Sequence, residues 1–267
     1  MGRKIRIGAL ISGGGTNLQA IIDACESGRI DGEMAFVGSD NPIAGGLARA
    51  GKHHIPGVVV NYADIIEQYR KDPRSCAIPG DFNLAAVLSK QHLFPMNADR
   101  EKFDFFFKTR AMAEDLLIQK MSDHQYDLLV LAGFMRVLTP YFIDRVNHGL
   151  PVPRIMNIHP ALLPAFPGED GYADTFRYGC KVGGCTVHFI DYGEDSGPII
   201  GQKTFPILEE DTLDTVKEKG LKLEWELYPE CIQLFAENRI RLEQASFDMG
   251  KGRVYRRNRV RILPAAS

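Results

Sequence analysis

The stretch running through Arg6–Ile11, Ser12-Gly13-Gly14-Gly15-Thr16 and Asn17–Glu26 constrains the fold more than any other part of the chain. An apolar run is cut by three glycines, and apolar residues then recur at helical spacing, at Leu18, Ile21, Ile22 and Cys25. That order reads as a buried strand, a tight turn and an amphipathic helix closed by Gly28. A strand at Met34–Val37, a short helix at Ala44–Gly51 and a strand at Gly57–Val60 continue the alternation. A βαβαβ order implies a parallel sheet with right-handed crossovers. The glycines also let backbone N–H groups approach an anion, and the helix N-terminus adds partial positive charge. Leu18 stands where a dinucleotide fingerprint needs its third glycine, and no Lys-Ser/Thr follows to make a P-loop. What remains is either a site for a simple phosphate or a plain strand–helix turn.

Between Tyr62 and Arg100 the alternation stops. Pro73, Pro79, Gly80 and Pro95 punctuate the segment, and one short helical piece is expected near Asn83–Gln91. Residues 64–99 therefore read as an insertion of 36 residues. A helix over Glu101–Ser122 follows, with Phe103, Phe106, Ala113, Leu117 and Met121 on one face. Then come an apolar strand at Asp127–Leu131, a short helix after Thr139-Pro140 and a strand at Arg154–Asn157. Three prolines and a glycine make Ile158–Gly168 a loop. Gly184–Asp191 and Ile199–Pro206 read as a strand pair, and Asp211–Phe235 as a long helix containing Pro229.

Charge narrows the function. The 32 Lys+Arg nearly balance 34 Asp+Glu, for a formal charge of −2, which argues against nucleic-acid binding through a global basic field. No stretch approaches ~18 uninterrupted apolar residues, so no membrane span is expected. Met1–Arg6 is charged but leads into no long apolar region, so no signal peptide is expected. The five cysteines are scattered and odd in number, which fits reduced thiols in a cytoplasm better than a zinc site or a disulfide framework.

Two further segments can carry chemistry. In Asn157-Ile158-His159-Pro160, residues 157 and 159 of a strand point to the same side, so an amide and an imidazole can contact one group. Taken alone, His159 is equally a loop histidine with a structural hydrogen bond. In Asp191-Tyr192-Gly193-Glu194-Asp195-Ser196-Gly197-Pro198, a carboxylate can hold a histidine protonated, or the turn can simply be solvated. Strands ending at Ile11 and Leu131 would flank the point where strand order reverses, the place where open parallel sheets bind ligands.

Together, Ile11–Ala20, Leu131-Ala132-Gly133-Phe134-Met135-Arg136-Val137-Leu138, Asn157–Pro164 and Asp195-Ser196-Gly197-Pro198 closely resemble the glycinamide ribonucleotide transformylase family. The likeness covers residues 4–60 and about 100–242. It implies an α/β, Rossmann-like, open twisted and mostly parallel sheet flanked by helices, the formyltransferase fold. It implies a catalytic domain over 1–242, interrupted by the insertion and followed by a basic tail over 243–267. The implied reaction moves a formyl group from 10-formyltetrahydrofolate to the amine of glycinamide ribonucleotide, without metal. Asn157, His159 and Asp195 would be catalytic, with Asn157 and a protonated His159 stabilising the tetrahedral intermediate. Gly15, Thr16, Asn17 and Glu224 would bind the nucleotide. Arg100, Met135, Arg136, Val137 and Leu138 would bind the folate, and His188 would support the centre. The expected partners are these small molecules, with no nucleic acid or membrane, in a monomer or homodimer.

The chain departs from the family after Pro167-Gly168, where Glu169-Asp170-Gly171-Tyr172 replaces a histidine-containing stretch. Two relatives are weighed against the transformylase. Methionyl-tRNA formyltransferase would need a nucleic-acid-binding domain beyond the 25 residues after Leu242. Formyltetrahydrofolate hydrolase typically has a regulatory domain before the first strand and a second histidine where Pro160 stands. A non-enzymatic binding module would keep the pocket without turnover.

Overall fold

The computed structural model describes residues 3–95 and 99–265. Its centre is a seven-stranded sheet in the order β3-β2-β1-β4-β5-β6-β7. The strands are β1 (Ile5–Ile11), β2 (Gly32–Ser39), β3 (Gly57–Val59), β4 (Leu128–Leu131), β5 (Ile155–His159), β6 (Val182–Phe189) and β7 (Ile199–Pro206). The first five run parallel, while β6 and β7 are antiparallel. The order reverses at β1, which is flanked by β2 and β4. The switch point thus falls between the strands ending at Ile11 and Leu131.

Both faces of the sheet are covered, because successive side chains alternate. On one face Ile7, Ala9 and Ile11 of β1 and Leu128 and Val130 of β4 form one cluster. Helices α1 (Thr16–Glu26) and α8 (Leu213–Ala236) cover it with Leu18, Ile21, Tyr228 and Ile232. On the other face Leu10, Leu129 and Leu131 meet α5 (Arg100–Ser122) and α6 (Pro140–Val146) through Leu117, Met121 and Phe142. Tyr228 is fully buried, and its hydroxyl donates toward the carbonyls of Met156 at 2.8 Å and Leu131 at 3.1 Å, which ties α8 to β4 and β5.

The segment expected to lack rhythm is more ordered than its prolines suggested. A helix α3 (Tyr62–Lys71) begins behind an Asn61 cap, and α4 (Leu84–Lys90) behind an Asn83 cap. Tyr62, Ile65 and Tyr69 already carry helical spacing, but Pro73 and Pro79 dominated the pattern. Residues 96–98 of the insertion lie outside the described residues. The rest packs through Val87 onto Phe103, Phe107 and Tyr141, and Lys90 pairs with Asp144 at 2.6 Å. Helix α2 (Gly45–Lys52) lies where expected, and α7 (Gly171–Arg177) follows the Pro-rich loop.

The expected boundary after Leu242 falls inside a strand. β8 (Ile240–Asp248) pairs antiparallel with β9 (Val254–Ile262) as a separate two-stranded sheet. Ile240 joins the core and Val260 packs against it. Arg257 donates to the Ser196 carbonyl at 2.9 Å. The basic tail is therefore a docked hairpin. Among the described residues no helix is long and apolar enough to cross a membrane.

Candidate active site

The carboxyl ends of β4 and β5 open into a cavity of about 450 Å³. Asn157, His159 and Asp195 line it. Antiparallel pairing of β5 with β6 sets His188 opposite Asn157 and Thr186 opposite His159. That register brings His188 Nε2 to 3.3 Å from Asn157 Nδ2. His188 is fully buried, and its Nδ1 lies 3.0 Å from the Phe189 carbonyl. A carbonyl only accepts, so Nδ1 carries a hydrogen toward Phe189, and Nε2 faces both the Asn157 amide and Asp195.

Asp195 arrives from the loop between β6 and β7, with a left-handed backbone (φ 47°). Its Oδ2 accepts from Gly168 N at 2.9 Å and lies 3.2 Å from His159 Nδ1. Its Oδ1 lies 3.5 Å from His188 Nε2. Burial pushes the Asp195 carboxyl up, but His188, the charge of His159 and the Gly168 N–H together hold it below the usual carboxylate value.

His159 is 2% exposed, and its Nε2 donates to the Phe166 carbonyl at 2.8 Å. Its Nδ1 faces Asp195, so both ring nitrogens sit beside acceptors. Burial lowers the His159 pKa, while Asp195 and the Phe166 carbonyl pull it up.

Asn17 and Glu224 also line the cavity. Gly15 is the N-cap of α1 in the left-handed region (φ 73°), and no side chain caps that helix. A Cβ on Gly15 would stand 2.9 Å from the Gly46 Cα, so α2 packs there only against a glycine. Gly15 and Thr16 form the turn beside the cavity without lining it. Glu224 is 4% exposed; one oxygen accepts from Asn17 Nδ2 and the other from the Tyr172 hydroxyl, both at 2.6 Å. Burial raises its carboxyl above the ordinary value, and both hydrogen bonds oppose that rise.

Met135, Arg136, Val137 and Leu138 line a wall of the same cavity. The Ser12 hydroxyl accepts from Met135 N at 2.8 Å, and the Gly133 carbonyl from Ser12 N at 2.9 Å, tying this loop to the end of β1. Arg136 pairs with buried Asp40. Arg100 does not belong to this wall. It is exposed at the first residue of α5. The arginine near Arg136 is Arg110, ten residues and about 15 Å further along the helix. Arg110 stacks on Tyr62 and Phe106, its guanidinium 5.3 Å and 5.1 Å from their ring centres, and its Nε and Nη1 are buried without a hydrogen-bond partner. The insertion beside Arg100 obscured this position in the sequence. Tyr172 was also missed as a partner of Glu224, although its departure from the family pattern marked the place. No group of three or more metal-binding side chains occurs among the described residues.

Comparison with known proteins fits this geometry. A model of the family described as formyl transferase matches residues 5–232. The chain is 32% identical over 222 residues to phosphoribosylglycinamide formyltransferase of Bacillus subtilis, covering 83% of this chain and 90% of that protein. It is 34% identical over 241 residues to the trifunctional purine biosynthetic protein adenosine-3 of Chironomus tentans, of whose length it spans 14%. The crystal structure of glycinamide ribonucleotide transformylase 1 from Symbiobacterium toebii aligns over 99% of this chain and 96% of its own, with a TM-score of 0.69 and 37% identity. Matched along most of its length, the chain belongs to the formyl transferase family.

Proposed function

We propose that this protein transfers the formyl group of 10-formyltetrahydrofolate to the amine of glycinamide ribonucleotide, a step of purine biosynthesis. The meeting of Asn157, His159 and Asp195 in one cavity carries this reading. The glycine turn, Asn17 and Glu224 suit a phosphate and a polar nucleotide, and Met135–Leu138 suit a flat, partly apolar folate.

The substrate amine attacks the formyl carbon, a C–N bond forms and the carbonyl oxygen becomes an oxyanion. The amide N–H of Asn157 donates to that oxygen. His159 Nε2, released from the Phe166 carbonyl with the ring hydrogen on Nδ1 toward Asp195, accepts the proton shed by the amine nitrogen, and Asp195 balances the resulting charge. The imidazolium then donates toward the oxyanion. Collapse breaks the bond to N10 of the folate, and N10 takes the returned proton through water. The five free cysteines fit a reducing cytoplasm as the site of action.

The direct test follows loss of 10-formyltetrahydrofolate with and without glycinamide ribonucleotide. Consumption should require the nucleotide. Consumption indifferent to it would point to hydrolysis, and stimulation only by charged tRNA to the tRNA enzyme.

A further inference from the structure

We infer that Tyr172 is a positioning residue that, together with Asn17, fixes the orientation in which Glu224 meets the nucleotide. The inference rests on reading Glu224 as part of the nucleotide site. Three separate elements converge on this one carboxylate: Asn17 from α1, Tyr172 from α7 and Glu224 itself from α8. Each carboxylate oxygen receives one donor at 2.6 Å, so its torsion is held from both sides. Tyr172 is 6% exposed, and its ring packs with Phe205 and Val216, which makes the phenol a stiff support.

Gly220, one turn before Glu224 on α8, completes the arrangement. A Cβ there would stand 2.1 Å from Tyr172 Cζ and 2.3 Å from its hydroxyl oxygen. The phenol reaches Glu224 only through the slot that this glycine leaves open. Glu224 lines the cavity with unfilled acceptor capacity, and Asn17 Oδ1 is buried with no hydrogen-bond partner. Unfilled acceptors suit a ligand that brings hydrogen-bond donors. Nothing in the formyl transfer itself uses Tyr172.

The test compares wild type with Tyr172→Phe, which keeps the ring and removes the hydroxyl. The KM for glycinamide ribonucleotide should rise about ten-fold, the scale of one hydrogen bond to a charged group. The folate KM and kcat should stay within about two-fold, which a general loss of structure would not produce. Gly220→Ala should raise the nucleotide KM in the same way, and the double variant should add nothing further. Glu224→Ala separates the two levels of the argument. An unchanged nucleotide KM in Glu224→Ala would overturn the nucleotide reading and this inference with it. A raised KM there, with wild-type behaviour in Tyr172→Phe, would overturn the inference alone.

Discussion

Asn157 Nδ2 lies 3.3 Å from His188 Nε2 across the β5–β6 pairing, and this contact fixes the amide beside the histidine. His188 Nδ1 is committed to the Phe189 carbonyl, which leaves Nε2 facing Asn157 and Asp195. In the proposed reaction the Asn157 amide is a donor to the developing oxyanion. Asn157→Ala should therefore lower kcat by at least ~10²-fold, the usual loss for one oxyanion donor. Steady-state turnover on folded variant checks this, and near wild-type kcat would remove Asn157 from the mechanism.

Asp195 pulls the His159 pKa up against burial, which pulls it down harder. Asp195→Asn removes the upward pull. The midpoint for His159 should then move to lower pH, and the acid limb of the kcat profile should move with it while the maximum falls. A profile unchanged in position would mean that Asp195 serves only the loop, through its bond to Gly168.

Glu114 lies fully buried on α5, where burial raises its pKa from 4.5 to about 7 despite hydrogen bonds from Thr139 N and Oγ1. A carboxyl raised on folding favours the folded state most at low pH. Its contribution is intact below the unfolded value of 4.5 and is lost as pH rises toward about 7. Glu114→Gln keeps an acceptor for Thr139 N and cannot ionise. Denaturant unfolding between these pH values should lose a slope of up to about 1.4 kcal/mol per pH unit in the variant. An identical pH dependence in both proteins would contradict the assignment.

Gly15 combines a left-handed backbone with a 2.9 Å approach of its missing Cβ to Gly46. Gly15→Ala should cost about 1–2 kcal/mol for the backbone alone, with the contact to α2 adding to it. Thermal melting should show the loss, and the nucleotide KM should rise because the turn beside Asn17 shifts.

Much of this molecule was legible before any coordinates. The alternation on β1 and β4, with both faces apolar, announced a sheet covered on two sides. The strands at Ile11 and Leu131 were correctly expected to flank the switch point. Helix α3 was hidden because two prolines beyond its end outweighed Tyr62, Ile65 and Tyr69 within it. Only packing brings Arg110, ten residues after Arg100 on α5, near Arg136.

Local sequence determined the elements, the glycine turn and the types of side chain available, since these follow from periodicity and backbone chemistry over a few residues. Tertiary structure decided which of them meet. Asp195 reaches His159 across 36 residues, and Glu224 meets Asn17 across 207. It also set the direction of the His159 pKa shift, because desolvation is a property of everything packed around a group and no spacing in the chain encodes it.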